Sequence, residues 1–183
     1  VRGRMTAVDR GQAFEALVDY AHTPSSFSAI FPPLRERLDR KGRRIISVFG
    51  SAGERDTVKR AEQGRIAWKW SDIVILTDED PRGEEPVSIL EEIAQGIDGG
   101  KADPPPEREG PQAKAARRGE NLFLIPDRPL AIRRAFSLAA PGDLVLLLGK
   151  GHENSIIYAG ETRPYDEIAE AEKALEEMAR DKR

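Results

Sequence analysis

The sequence predicts an α/β fold: a single domain with a Rossmann-like, mostly parallel sheet flanked by helices. Three observations carry this expectation. Short apolar runs at 44–49, 73–76, 122–125 and 143–148 (D-L-V-L-L-L) have the length and composition of buried strands. Between them lie longer stretches whose apolar residues recur every three and four positions, as on one face of a helix. Strands alternating with helices at this spacing form βαβ units, whose right-handed crossovers make the strands parallel. A chain of 183 residues can bury one sizeable core.

The elements follow in order. Residues 13–19 (A-F-E-A-L-V-D) read as a short strand that delivers Asp19, Tyr20 and His22. After Pro24, the residues Phe27, Ile30, Phe31, Leu34 and Leu38 share a helix face, and Pro32 with Pro33 predicts a kink or break in it. The strand at 44–49 closes on Gly50, and a helix is expected from about 57 to 70. The strand at 73–76 precedes a helix over 85–97, with Val87, Leu90, Ile93 and Ile97 on one face. A strand at 122–125 leads to a helix over 130–139, for which Asp127 is a plain cap ahead of Pro129. Residues 155–159 read as an edge strand, and the final edge is expected to be antiparallel. An amphipathic helix over 166–180 turns Ile168, Ala171, Leu175 and Met178 inward. The segment around 98–120 holds a Gly-Gly pair and three consecutive prolines with no apolar face, and reads as a mobile surface loop, with a functional lid as the alternative.

Composition removes several function classes. A net charge of -3 argues against a nucleic-acid partner, which would require a basic face. No apolar run approaches the ~20 residues of a membrane span, so no membrane partner is expected. With no cysteine, thiolate metal sites and disulfide frameworks are excluded, and a reducing cytoplasm is permitted. The chain shows no signal peptide and opens V-R-G-R-M without an initiator Met, as an excised domain would. His22 and His152 are the only histidines, too few for an expected zinc site.

Five polar motifs punctuate the chain: G-R-M at 3–5, D-Y-A-H-T-P at 19–24, V-F-G-S-A-G-E-R-D at 48–56, T-D-E-D-P-R at 77–82 and G-K-G-H-E at 149–153. All but the first sit where an apolar run ends, the edge at which open α/β sheets bind ligands. In T-D-E-D-P-R, Arg82 can clamp a carboxylate while Glu79 and Asp80 offer negative charge to an ammonium. The bland reading is an acidic turn before a helix start, where Glu84, Glu85 and Pro86 are ordinary. The small residues of G-S-A-G-E-R-D could cradle a phosphate, but no G-K-[ST] follows. Arg55 within it can equally be a helix-entry residue paired with Glu54 or Asp56. Gly149 and Gly151 permit close backbone approach, and Glu153 can bind an ammonium. Lys150 and His152 invite a catalytic role, though a strand-end histidine is more often a hydrogen-bonded structural residue. Asp19 and Thr23 fit a strand-end turn that caps the following helix.

Taken together and in this order, the motifs resemble the C-terminal domain of the Mur ligases, of the UDP-N-acetylmuramyl-tripeptide synthetase type. The resemblance covers the chain apart from 98–120. It implies that 1–183 is the amino-acid-binding and ATP-closing domain of a longer cytoplasmic enzyme, with ATP-binding and N-terminal domains upstream. The reaction implied is amide ligation: ATP, with magnesium, activates the carboxylate of UDP-N-acetylmuramoyl-L-alanyl-D-glutamate as an acyl phosphate, and a diamino acid (lysine, ornithine or meso-diaminopimelate) attacks it. Carried over by the resemblance, Arg4, Asp19 and His22 complete the ATP site. Arg55, Glu79, Asp80, Arg82, Gly149 and Glu153 form the amino-acid site, and no catalytic or metal-binding residue lies in this domain alone. Diaminopimelate-adding members read D-N-P-R where this chain has Asp80 in place of the Asn; the added carboxylate favours lysine or ornithine, while Arg82 still suits a second carboxylate. The rivals are a folylpolyglutamate-synthetase-like ligase domain and a non-catalytic amino-acid-binding or interaction domain.

Overall fold

The computed structural model describes residues 1–39, 42–99 and 115–182. In chain order the elements are β1 (Thr6–Ala7), β2 (Glu15–Asp19), α1 (Pro24–Asp39), β3 (Ile45–Phe49), α2 (Val58–Trp70), β4 (Ile73–Leu76), α3 (Pro86–Asp98), β5 (Leu122–Leu124), α4 (Arg128–Leu138), β6 (Leu144–Leu148), β7 (Ser155–Tyr158), β8 (Glu161–Pro164) and α5 (Glu167–Asp181). Six strands form one sheet in the order β1-β2-β6-β3-β4-β5. All neighbours are parallel except β1, which runs antiparallel to β2.

Period-two alternation along the strands builds two core layers. Leu144, Leu146 and Leu148 of β6 enter one layer, where Phe27, Phe31, Trp68, Leu90 and Ile93 bring α1, α2 and α3 against the sheet. Val145 and Leu147 enter the other, against Ile132 and Phe136 of α4 and Ala171 and Leu175 of α5. Both faces are thus covered, which is why β3, β4 and β6 are apolar runs and not alternating ones. Asp127 caps α4 as expected, its carboxylate accepting the Leu130 N–H at 2.9 Å. Among the described residues no helix is long and apolar enough to cross a membrane.

Three expectations are corrected. Pro32 and Pro33 do not break α1, which is one helix of 16 residues. Its buried Phe27, Phe31, Leu34 and Leu38 continue across the prolines. Burying four such side chains contributes on the order of 6–12 kcal/mol, enough to offset roughly 3 kcal/mol for each interior proline. Val87 of α3 is exposed, while Ile89 is buried. At about 100° per residue, Val87 falls roughly 90° from the centre of the stripe formed by Ile89, Leu90, Ile93, Ala94 and Ile97. Finally, β7 is no edge of the main sheet. It pairs with β8 as a separate antiparallel hairpin, and the antiparallel edge is taken by β1. The other side of β7 is engaged by residues 80–82, since Arg82 N–H donates to Ile157 O and Ile157 N–H donates to Asp80. The loop expected around 98–120 lies outside the described residues over 100–114; at its far end Arg118 is tied to Glu91 and Asp98.

Candidate functional site

Parallel strands in register deliver their following loops to one edge. Asp19 lies opposite Leu148, Val48 opposite Leu147, and Phe49 opposite Leu76. The chain leaves β3 toward the α1–α3 face but leaves β6 toward α5 on the other face, so a cleft opens between these neighbouring strands. A cavity of about 410 Å³ lies there. Its lining combines Tyr20 and His22 from the β2 loop, Arg55 from the β3 loop, Glu79, Asp80 and Arg82 from the β4 loop, and Glu153 from the β6 loop.

Glu79 is 7% exposed, and its Oε2 has no hydrogen-bond partner among the described residues. Burial pushes its carboxyl above the usual range, against the pull of Arg128 and Lys150. Gly149 makes room for this carboxylate: its φ is 104°, and a Cβ there would lie 2.8 Å from Glu79 Oε2. Asp80 Oδ1 accepts from Lys150 Nζ at 3.0 Å and from Ile157 N–H at 2.8 Å. Asp80 Oδ1 thus already meets one ammonium from within the chain. Lys150 is wholly enclosed and also lies 2.7 Å from Glu153 Oε2. Arg82 has a φ of 55°, uncommon for a residue with a side chain, and its Nε is buried without a partner among the described residues. Arg55 is exposed at the cavity wall.

On the other side of the cleft, Asp19 accepts Ala21 N–H and Met5 N–H, both at 2.8 Å, one on each oxygen. It thereby closes the strand-end turn and ties down the G-R-M segment. Thr23 caps α1 by exchanging hydrogen bonds with Ser26. Gly3 lies so near Gly151 that a Cβ on it would come within 2.3 Å of the Gly151 carbonyl carbon. Arg4, exposed, is carried on this crossing segment. His22 is exposed with Nδ1 2.8 Å from Tyr20 O, and the Tyr20 ring lies between His22 and His152 at centroid distances of 4.7 and 4.9 Å. The structure thus brings His22, Arg55, Glu79, Asp80, Arg82 and Glu153 to one cavity, while Arg4, Asp19 and Gly149 lie outside its lining.

Residues 3–151 match the family described as "Mur ligase, glutamate ligase domain". The chain belongs to the Mur ligase family. Among its relatives, the UDP-N-acetylmuramyl-tripeptide synthetase of Treponema denticola is 58% identical over 175 residues, 96% of this chain and 30% of that protein. The UDP-N-acetylmuramoyl-L-alanyl-D-glutamate–2,6-diaminopimelate ligase of Corynebacterium glutamicum is 36% identical over 182 residues, 100% of this chain and 32% of the other. A solved UDP-N-acetylmuramoyl-L-alanyl-D-glutamate–2,6-diaminopimelate ligase superposes with a TM-score of 0.78 at 30% identity, covering 98% of this chain and 32% of its own. A folylpolyglutamate synthase/dihydrofolate synthase of Yersinia pestis shares the fold, with a TM-score of 0.53 at 18% identity over 81% of this chain and 28% of its own. The chain spans about a third of the length of the curated relatives it matches.

Beneath the cleft, this Mur ligase chain holds buried charges whose partners the sequence did not reveal. Arg128 is fully buried and donates to the Glu167 carboxylate (2.7 and 2.9 Å), to Asp78 O (2.9 Å) and to Leu148 O (2.7 Å). One guanidinium thus joins the ends of β4 and β6 to the start of α5. Tyr165 OH adds a 2.5 Å bond to Glu167. Arg60, also fully buried, binds Glu84, Glu92 and Ala52 O, and so fixes the β3 loop against the β4 loop. Asp78 accepts Tyr158 OH on Oδ2 at 2.9 Å, while Oδ1 has no partner among the described residues. Burial pushes the Asp78 carboxyl up to about 6. Only position at a strand end or a helix start marks these residues in the sequence.

Proposed function

We propose that this chain is the C-terminal domain of an ATP-dependent ligase of peptidoglycan synthesis. Its part is to hold an incoming diamino acid (lysine, ornithine or meso-diaminopimelate) for addition to UDP-N-acetylmuramoyl-L-alanyl-D-glutamate. One observation carries the reading: one strand-end cavity is lined both by the buried carboxylate of Glu79, whose Oε2 has no hydrogen-bond partner among the described residues, and by Arg55 and Arg82. Opposed charges in one small cleft suit a zwitterion. Arg82 and Arg55 take carboxylate oxygens, Glu79 and Glu153 take an ammonium, and Asp80 shapes the floor through its bonds to Lys150 and Ile157. A substrate so oriented presents its free amine outward, and fixed orientation of this kind can supply several kcal/mol of a barrier.

ATP, with magnesium, supplies the phosphoryl group that activates the acceptor carboxylate. Arg4, Asp19 and His22 would close over it while a preceding domain holds it. The donors and acceptors present suit this closure. Each Asp19 oxygen accepts one backbone N–H and keeps capacity for a ribose hydroxyl, and the His22 ring is exposed.

A ligation assay on the full-length parent tests this reading. With ATP, magnesium and the UDP-dipeptide supplied, lysine, ornithine, meso-diaminopimelate and glutamate compete, and mass spectrometry reads the product. A product carrying one of the diamino acids is expected; a glutamate product or none overturns the reading. The 183-residue chain alone is expected to hydrolyse no ATP, because no G-K-[ST] loop occurs in it. Turnover by the pure chain would overturn this division of labour between domains.

A further inference from the structure

Arg82 holds a strained position that its own side chain does not secure. Its φ of 55° is a left-handed conformation, which a residue with a side chain keeps only where its surroundings over-determine it. Its Nε has no partner among the described residues, so the aim of the guanidinium depends on the backbone. That backbone is held from outside the main sheet. Arg82 N–H donates to Ile157 O at 2.9 Å, and Ile157 N–H donates to Asp80 Oδ1 at 2.8 Å. Arg82 also pairs with Tyr158 as an isolated parallel bridge. The β7–β8 hairpin is therefore the splint of the 80–82 loop.

The hairpin needs an anchor of its own. β8 is exposed along its whole length, so attachment falls to β7. Tyr158 supplies it, its OH donating to Asp78 Oδ2 at 2.9 Å. Asp78 is a firm mooring, since its N–H donates to Pro126 O and its C=O accepts from the fully buried Arg128. Burial and the bond to Asp78 push the phenol above its ordinary range, so it keeps the proton that it donates. Arg163 of β8 lies over the ring at 4.4 Å, so both strands of the hairpin meet at this one side chain. Tyr158 lies outside the lining of the amino-acid cavity, and its influence there runs through the loop.

We propose that Tyr158 is a positioning residue of the amino-acid site: its hydroxyl, moored on Asp78, seats the β7–β8 hairpin, whose backbone holds Arg82 in its left-handed conformation and so aims the guanidinium. The proposal rests on the reading above, in which Arg82 takes a carboxylate oxygen of the incoming amino acid. Without the hydroxyl, the hairpin lifts more often from the end of β4. Each opening releases the Arg82 backbone and lets the guanidinium swing away from the bound carboxylate.

The experiment compares wild type, Tyr158→Phe, Asp78→Ala and the double variant. Amide hydrogen exchange is followed by NMR in the 183-residue chain; in the full-length parent, KM is measured for ATP and for the diamino acid that wild type uses. Tyr158→Phe keeps the ring and its contact with Arg163 and removes only the hydroxyl. It is expected to speed exchange of the Arg82 and Ile157 amides by about fivefold or more. The amino-acid KM should rise by about fivefold or more, while the KM for ATP stays within about twofold. Asp78→Ala removes the same bond from its other end and should reproduce both effects. The double variant is then expected to be no worse than either single one, as for one shared interaction. Unchanged exchange at Arg82 in Tyr158→Phe overturns the anchor. Faster exchange with an unchanged amino-acid KM, which a purely structural bond would give, overturns the positioning role. An ATP KM that rises equally, or losses that multiply in the double variant, overturns it as well. A wild-type parent that ligates no diamino acid sinks the functional reading instead, and the exchange rates of the chain then decide the anchor alone.

Discussion

Asp143 and Asp78 are both buried aspartates of one sheet, the first at the start of β6 and the second at the end of β4. Asp143 is fully engaged: Oδ1 accepts Arg44 N–H, and Oδ2 accepts Ala140 N–H and the Arg44 guanidinium at 2.6 Å. Burial pushes its carboxyl up, but Arg44 and the backbone donors outweigh that and hold it below the ordinary range. Asp78 has one donor, Tyr158 OH, and burial wins. Burial alone thus does not set the charge state; the number of partners does. Incomplete partnering of buried carboxylates falls at the edge that carries the cavity, where Asp78 and Glu79 each keep an oxygen without a partner among the described residues. Carboxylates left incompletely partnered at the cavity edge, beside the fully engaged Asp143 at the opposite edge, are the kind of departure from satisfied polar groups that a binding site uses.

The comparison is broken most forcefully at Arg128, the fully partnered charge of the cavity edge. Arg128→Met strands Glu167 in the core and is expected to cost about 3–5 kcal/mol in urea unfolding of the chain. Arg44→Met at the opposite edge should cost only about 1–2 kcal/mol, because that side chain is 41% exposed. Equal losses would show that the two edges are not anchored differently.

The pH dependence should differ in sign. Between the ordinary 3.8 and the folded value of about 6, native Asp78 holds more protons than the unfolded chain, so its contribution falls as pH rises. Asp78→Asn is therefore expected to gain stability relative to wild type by about 2–3 kcal/mol between pH 4 and pH 7. Asp143 works the other way: its contribution is present above the unfolded pKa and is lost as pH falls through the depressed folded value. Asp143→Asn should lose relative to wild type as pH rises, and parallel slopes for the two variants would refute the contrast.

The smallest effect concerns glycines. Gly149→Ala sets a methyl against the buried Glu79 carboxylate at φ 104°, whereas Gly142→Ala, at φ 83°, meets only the flexible end of Arg43. Melting curves should show about 2 kcal/mol or more for the first and about 1 kcal/mol for the second.

Much of this was legible in the sequence for a physical reason: strands buried on both faces must be apolar runs, and loops at their C-terminal ends must share an edge. That put Asp19, Glu79, Arg82 and Glu153 at one sheet edge, and Glu79, Arg82 and Glu153 line one cavity there. What stayed hidden depends on distance in the chain. Asp80 and Lys150 pair across |i−j| = 70, and Arg128 with Glu167 across 39; a buried arginine spells the same as an exposed one. The helix does not break at Pro32 and Pro33, because local preference is outweighed when the same helix face is buried on both sides of them. The β7–β8 hairpin misled because its partner is an irregular loop, for which no periodicity speaks.

That hairpin gives position 157 an unusual standing. Ile157 serves the cleft through its peptide group, whose N–H holds Asp80 and whose C=O holds Arg82. Because every amino acid but one carries that N–H, the position can change its letter freely and still do its work, with proline as the one forbidden choice. A residue can thus be indispensable to a site and leave no signature in its own identity.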